Sequence, residues 1–358
     1  MTRGFARVIL NAVAALALIA TARAEPMPTD LARKLDGIFA TSQAPAMVAV
    51  IIDGERTYVM GAAREGTLPN GRTLLRINSL TKTMTGEILA NLIAEGRVRL
   101  DEPLSAYAPI GRRVPRAKGG RAITLRDLAA HLSALPRDLP PGLGTAGRWS
   151  WLTTVQLARP PGRVAQYSNA AYMFLGDALS AAAGKSFDTL LAHYVTAPLA
   201  LADTTLSPTA EQCSRLMPTG RSDFPCASNA AIGAMGGAYS TADDMARWMR
   251  AQLSPAPGSP RALAQKPLVE RAALRRVINL DMAGKADAIA MGWLRMRLGG
   301  LPVIQKTGGG GGFMNYVLLA PTANKALFIT VARVDIEMLR KLTGQANDLM
   351  AGIAAESQ

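Results

Sequence analysis

Ala46–Asp53 reads AMVAVIID, an apolar run of strand length, and Asp53-Gly54 then supplies a turn. Residues 56–61 return as the hairpin partner. Ahead of this hairpin, Leu31, Leu35, Ile38 and Phe39 share one face of a helix that Thr29 is placed to cap. Across residues 79–95, Leu80, Met84, Ile88 and Leu92 recur every four positions, and Gly96 stops that helix. Thr124-x-x-Asp127 is a capping box for a short helix ending before Pro136. Residues 136–147 are rich in Pro and Gly and predict a loop. Residues 168–183 predict an Ala-rich helix closed by Gly184. Thr241 to Asp244 cap another helix reaching about Leu253, followed by a loop over 254–260.

The last third changes period. Residues 293–298, 301–306, 313–320 and 325–331 predict consecutive strands. Ile336, Leu339, Leu342, Ala346, Leu349, Met350 and Ile353 then mark an amphipathic helix. Strands at both ends and helices between them predict an α+β fold: one antiparallel sheet built from both termini, flanked by helices. The expected division is a sheet lobe of residues 25–78 plus 286–358, and a mostly helical lobe of residues 79–285. The helical part is expected to pack against the sheet edge, with an active site at the lobe interface.

Of the 358 residues, 49% are apolar, enough for a large core, so intrinsic disorder is excluded. The 40 Lys+Arg against 26 Asp+Glu give a formal charge of +14, which leaves nucleic acid, membrane surface and acidic polymers as partners. The N-terminus narrows that choice. Arg3 and Arg7 precede an apolar run over 8–20 broken only by Asn11, and Ala22-Arg23-Ala24 is a small-x-small cleavage site. The run is shorter than the ~20 residues a membrane helix needs, so residues 1–24 read as a secretory signal peptide. Its removal takes away three Arg and no acid, leaving +11. Export argues against nucleic acid and allows loose association with a membrane surface or cell wall. It also places Cys213 and Cys226 in an oxidising compartment. There a disulfide is the expectation, with two buried free thiols as the alternative.

Three short motifs carry chemistry. Ser79-x-x-Lys82 puts an ammonium within reach of a hydroxyl at a helix start. A Ser hydroxyl needs a base beside it, and a Lys serves only if its pKa is lowered. Alone the motif is weak, since about one S-x-x-K is expected by chance in such a chain. Tyr167-Ser168-Asn169 offers a phenol that can shuttle a proton and an amide that can donate to a carbonyl and tether Lys82. Lys306-Thr307-Gly308 suits a substrate carboxylate, its Gly allowing close approach to an edge strand. The Gly309 N–H then pairs with that of Ser79 as an oxyanion hole. Taken singly, each also reads as structure: an N-cap Ser, a packed Tyr, a Gly-rich loop over 308–312. A lone His131 in L-A-A-H-L-S-A-L-P reads as a packing residue.

In the order S-x-x-K, Y-x-N, K-T-G, the three resemble the serine penicillin-recognising enzymes, the DD-peptidases and class C-type β-lactamases. The Y-S-N form points to the class C side. The blocks R-I-N-S-L-T-K, L-S-A-Y-A-P, A-H-L-S-A-L-P-R, E-Q-C-S-R-L-M, G-K-A-D-A and I-Q-K-T-G-G-G-G-G-F look like the AmpH-type D-Ala-D-Ala carboxypeptidase/endopeptidases, periplasmic proteins of Gram-negative bacteria. The resemblance spans essentially the whole mature chain, both Cys included. It implies a β-lactamase/DD-peptidase-like fold, catalytic roles for Ser79, Lys82, Tyr167 and Lys306, and substrate contacts from Asn169, Thr307, Gly308 and Gly309. It also implies peptidoglycan stem peptides and β-lactams as substrate or inhibitor, and no metal or organic cofactor. A class C-type β-lactamase, or a related esterase or D-amidase, is the alternative activity.

Overall fold

The computed structural model describes residues 26–220 and 224–356, so the expected signal peptide lies outside the described residues. Among them, eight strands form one antiparallel sheet: β1 (Ala46–Asp53), β2 (Arg56–Ala63), β3 (Val269–Glu270), β4 (Ala288–Ile289), β5 (Leu294–Leu298), β6 (Leu301–Gly310), β7 (Phe313–Ala320) and β8 (Lys325–Val331). Their spatial order is β2-β1-β8-β7-β6-β5-β4-β3. The two chain ends meet where β1 pairs β8, in a register running from Met47 opposite Val331 to Asp53 opposite Lys325. One short strand, β3, comes from the span expected to be helical.

The pleat explains why AMVAVIID lacks polar alternation: both faces of the sheet are covered. Met47, Ala49 and Ile51 join Leu318, Leu327 and Ile329 beneath two terminal helices, α1 (Thr29–Ser42) and α5 (Ile336–Ala355). Val48, Val50 and Ile52 join Val317, Leu319 and Phe328 on the other face, under α2 (Thr81–Ala94) and α4 (Ala242–Leu253). Each such aliphatic side chain contributes about 1.5–3 kcal/mol on full burial. Trp248 of α4 stacks on Trp293 at 5.4 Å between centroids, joining the helical layer to the sheet. The helical part therefore covers a face of the sheet, not its edge as expected. Among the described residues no helix is long and apolar enough to cross a membrane.

Local expectations hold where side chains close their own caps. Thr124 and Asp127 form the reciprocal capping box, Thr241 accepts from the Asp244 N–H, and Gly184 takes the left-handed cap. Others shift. Thr29 lies inside the first turn of α1, after Pro28, and makes no cap bond. The loop expected over 136–147 ends early, because Thr145–Leu152 is a helix that buries Arg148 and Trp149. Pro260 likewise opens the short helix Pro260–Ala264. The four-residue spacing in α2 suggests one buried stripe, yet every residue from Thr81 to Ala90 is buried. This helix sits in the middle of the molecule, and a methyl at Gly86 would stand 2.1 Å from the Met291 carbonyl oxygen. Cys213 and Cys226 are joined in a disulfide.

Candidate active site

Ser79 stands in a 3₁₀ turn, Asn78–Leu80, just before α2, not inside the helix as its spacing suggested. The turn is set by Asn78 at φ 50°, the left-handed region that Asn tolerates. Its Nδ2 donates to the Gly310 carbonyl at 3.1 Å and to the Arg76 carbonyl at 3.2 Å, tying the turn to β6. The start of α2 favours negative charge developing at Ser79.

Lys82 follows one turn later and is completely buried. Its Nζ donates to Ser79 Oγ at 3.1 Å, to Asn169 Oδ1 at 2.8 Å and to the Met235 carbonyl. Burial drives its pKa well below that of a free lysine; the Arg137 guanidinium lowers it further, and Asp138 acts the other way. Asn169 and Met235 accept two of its protons, so the third position of the amine faces the Ser79 hydroxyl.

Tyr167 reaches the same hydroxyl from the opposite side, its Oη 2.5 Å from Ser79 Oγ. It follows a two-stranded parallel ribbon, Val164–Gln166 against Arg276–Ile278, and its N–H donates to the Ile278 carbonyl. Three basic groups surround its ring: Lys82 Nζ at 4.9 Å, Lys306 Nζ at 5.1 Å and Arg137 Cζ at 5.2 Å from the centroid. His131 packs on the ring at 4.8 Å, and its Nδ1 accepts from the Ser168 N–H. Burial, with Lys306 and Lys82 nearby, holds that imidazole neutral. The packing role read from the sequence thus falls on a residue directly behind Tyr167.

Asn169 opens helix α3 (Asn169–Ala183), capped by Ser168, whose Oγ accepts from the Ala171 N–H and donates to the Pro136 carbonyl. Its Nδ2 donates to Asp138 Oδ1 at 2.6 Å. Lys306, Thr307, Gly308 and Gly309 all lie within β6, which continues past the predicted strand end at Lys306 because β7 pairs with it as far as Gly310. Neighbouring β5 pairs only up to Gln305, so from Lys306 onward one side of β6 is an open edge. Lys306 is buried, and that burial brings its pKa down to about 8. Gly308 has a further use beside the one its motif suggested. A methyl there would stand 2.7 Å from the Ile77 carbonyl and 3.1 Å from the Ser79 nitrogen, so its bareness lets the serine turn lie against the strand.

All eight site residues expected from the three motifs therefore converge, drawn from the 3₁₀ turn, α2, the ribbon end, α3 and β6. Ser79, Tyr167, Asn169 and Thr307 to Gly309 line one cavity of about 680 Å³. Cys213 and Cys226 stand apart from it, although the Phe224 and Pro225 carbonyls accept from Arg76, three residues before Ser79. Asn78, Arg137, Asp138 and the Met235 carbonyl were not found from the sequence. Arg137 and Asp138 follow the L-S-A-L-P phrase in a loop, and no spacing rule marks such positions. A hydroxyl held between a lysine amine and a phenol, at a helix start and beside an open strand edge, is equipped for acyl transfer.

Comparison with known proteins agrees with that chemistry. A family described as Beta-lactamase matches residues 31–349. The chain is 41% identical to the Escherichia coli (strain K12) protein named D-alanyl-D-alanine-carboxypeptidase/endopeptidase AmpH, over 90% of this chain and 88% of that one. A solved structure titled beta-lactamase/D-alanine carboxypeptidase from Yersinia pestis, complexed with citrate, superposes with a TM-score of 0.82 at 36% identity, covering 91% of this chain and 99% of that one. A class C beta lactamase from Rhodobacter sphaeroides shares the fold at a TM-score of 0.71 and 18% identity, over 89% and 98% of the two chains. The expected β-lactamase/DD-peptidase-like fold is the observed one, and the chain belongs to the beta-lactamase family.

Proposed function

We propose that this protein is a serine-type D-alanyl-D-alanine carboxypeptidase/endopeptidase of the periplasm, acting on peptidoglycan stem peptides through an acyl-enzyme and binding penicillins at the same serine. The observation that carries this reading is the position of Ser79 Oγ, 2.5 Å from Tyr167 Oη and 3.1 Å from a buried Lys82. The 41% identity to the AmpH protein supports the choice of substrate class.

In the first step Ser79 Oγ attacks the carbonyl carbon of the scissile D-Ala amide. Its proton passes to Lys82 or Tyr167, and Tyr167 delivers a proton to the departing amine nitrogen as the C–N bond breaks. The Ser79 and Gly309 N–H groups hold the oxyanion at the start of α2. Lys306 and Thr307 bind the terminal carboxylate of a carboxypeptidase substrate, and the open edge of β6 takes the peptide backbone. Water then attacks the ester and frees Ser79. The two-lobe organisation follows from the same reading, with the helical lobe supplying Ser79, Lys82, Tyr167 and Asn169 and the sheet lobe supplying Lys306 to Gly309. The net positive charge suits loose attachment to an acidic cell wall or membrane surface.

A β-lactamase activity is the second reading, supported by the Yersinia pestis structure whose title joins both activities. Digestion of purified sacculi with the mature protein separates the two. D-Ala release and cross-link cleavage, with slow nitrocefin turnover, support the peptidase. Rapid nitrocefin turnover with intact muropeptides would overturn it.

A further inference from the structure

Beyond the motif residues, Lys82 is reached by a line of contacts that ends on an acid outside all three motifs. Lys82 Nζ donates to Asn169 Oδ1 at 2.8 Å, and Asn169 Nδ2 donates to Asp138 Oδ1 at 2.6 Å. An amide side chain has one acceptor end and one donor end, so its two neighbours decide which way it faces. Turned over, Asn169 would aim its NH₂ at the Lys82 amine and its carbonyl oxygen at the Asp138 carboxylate. Both contacts would then set like against like. The backbone cannot decide the rotation, because the bonds from the Asn169 and Ala170 N–H groups to the Arg137 carbonyl hold only the main chain.

Asp138 is itself held in place. It forms an ion pair with Arg137 at 3.3 Å, and Arg137 lies over the Tyr167 ring. Asp138 makes no hydrogen bond or ion pair with Ser79 or Lys82, although its charge acts on Lys82, and more than half of its side chain is exposed, so it is not needed for the core. A carboxylate is also a stronger acceptor than a neutral group, which makes the imposed orientation firm.

We propose that Asp138 is a positioning residue: by accepting from Asn169 Nδ2 it fixes the Asn169 amide with its oxygen toward Lys82, and so aims the Lys82 amine at Ser79 Oγ. This rests on the proposed acyl-enzyme chemistry. The role belongs to acylation and not to holding the substrate, so loss of Asp138 slows the acylation step with little change in the dissociation constant of the encounter complex.

The test is stopped-flow acylation of the mature protein by a fluorescent penicillin, in wild type, Asp138→Ala, Asp138→Asn, Asn169→Ala and the Asp138→Ala/Asn169→Ala double variant. Loss of a hydrogen bond to a charged group predicts a fall of roughly 10- to 100-fold in the acylation rate constant for Asp138→Ala. Asp138→Asn keeps an acceptor oxygen at the same place and recovers to within about fivefold of wild type. In the Asn169→Ala background nothing is left to orient and only the charge of Asp138 still acts on Lys82, so removing Asp138 costs at least about fivefold less than in the wild-type background. Melting curves check folding, and the exposed site predicts little shift. An Asp138→Ala rate within twofold of wild type overturns the proposal. So does an equal loss with and without Asn169, or an Asn variant as slow as the Ala variant. Failure of the peptidase reading looks different: wild type is acylated but releases no D-Ala from muropeptides.

Discussion

Gly308 and Ser79 are separated by most of the chain, yet a methyl group on Gly308 would stand 3.1 Å from the Ser79 amide nitrogen. The same methyl would lie 2.7 Å from the Ile77 carbonyl oxygen, a backbone atom that cannot swing aside. The nucleophile turn and the strand edge are thus held at backbone contact. Gly308→Ala must push them apart, and overpacking of this kind costs about 1–3 kcal/mol. Because displacement by an ångström can cost about 100-fold in rate, penicillin acylation should fall by roughly that factor. Thermal melts and acylation rates unchanged from wild type would refute the close-contact account.

Ser79→Ala removes the hydroxyl that lies between Lys82 and Tyr167, while leaving the turn to Asn78. Covalent labelling by a fluorescent penicillin should vanish, and D-Ala release should fall by roughly 10⁴-fold or more, with folding retained. Labelling of this variant seen by gel fluorescence would remove Ser79 as nucleophile.

Lys306 is a buried lysine whose pKa lies at about 8, against 10.5 for a free side chain. Between those values the unfolded chain holds a proton that the folded one has lost, so folding becomes more favourable as pH rises through that window. Below pH 8 the folded state bears the full cost of the buried charge, about 3 kcal/mol. Lys306→Met should therefore raise the melting temperature at pH 7, and its advantage should shrink as pH rises from 8 towards 10.5. Release of a terminal D-Ala should weaken, chiefly through KM. Equal stability of the two proteins at pH 7 contradicts this.

His131 packs behind Tyr167 with its Nδ1 accepting from the Ser168 N–H. His131→Leu orphans that buried donor and should cost about 1–3 kcal/mol in urea unfolding, whereas His131→Asn restores an acceptor and part of the loss. The imidazole pKa lies well below 6.5 in the folded protein, first through burial. The unfolded chain therefore takes up a proton near pH 6.5 that the folded one refuses. The histidine's contribution is complete above that pH and is lost as pH falls below it. Wild type should lose stability relative to His131→Asn between pH 7.5 and 5, and parallel pH profiles would refute it.

The Cys213–Cys226 disulfide closes a short loop, with a sequence separation of 13. Replacing both by Ser should destabilise the protein by about 3 kcal/mol in the chain-entropy account. Denaturant midpoints of the oxidised, reduced and double-Ser proteins check this, and identical midpoints would exclude it.

Much of the architecture was legible because it is encoded at short range. The apolar run of β1, the Thr124 and Thr241 caps, the Gly184 stop and the three-residue step from Ser79 to Lys82 each depend on neighbours within a turn or a strand. Order and identity of the three motifs were enough to point at the family, and the residues that converge on the candidate site could be named from them. What the chain could not show locally is how segments meet. The burial of α2 on every side and the use of Gly308 against the Ser79 turn arise from contacts across more than a hundred residues, and the extension of β6 to Gly310 from its pairing with the next strand. Asp138, Arg137 and the Met235 carbonyl likewise gain their meaning only when their loops close on Asn169, Tyr167 and Lys82. Periodicity reports which face of an element avoids water. It carries no term for which distant polar group will stand opposite, and that pairing is what sets the orientation of Asn169 and the environment of Lys82.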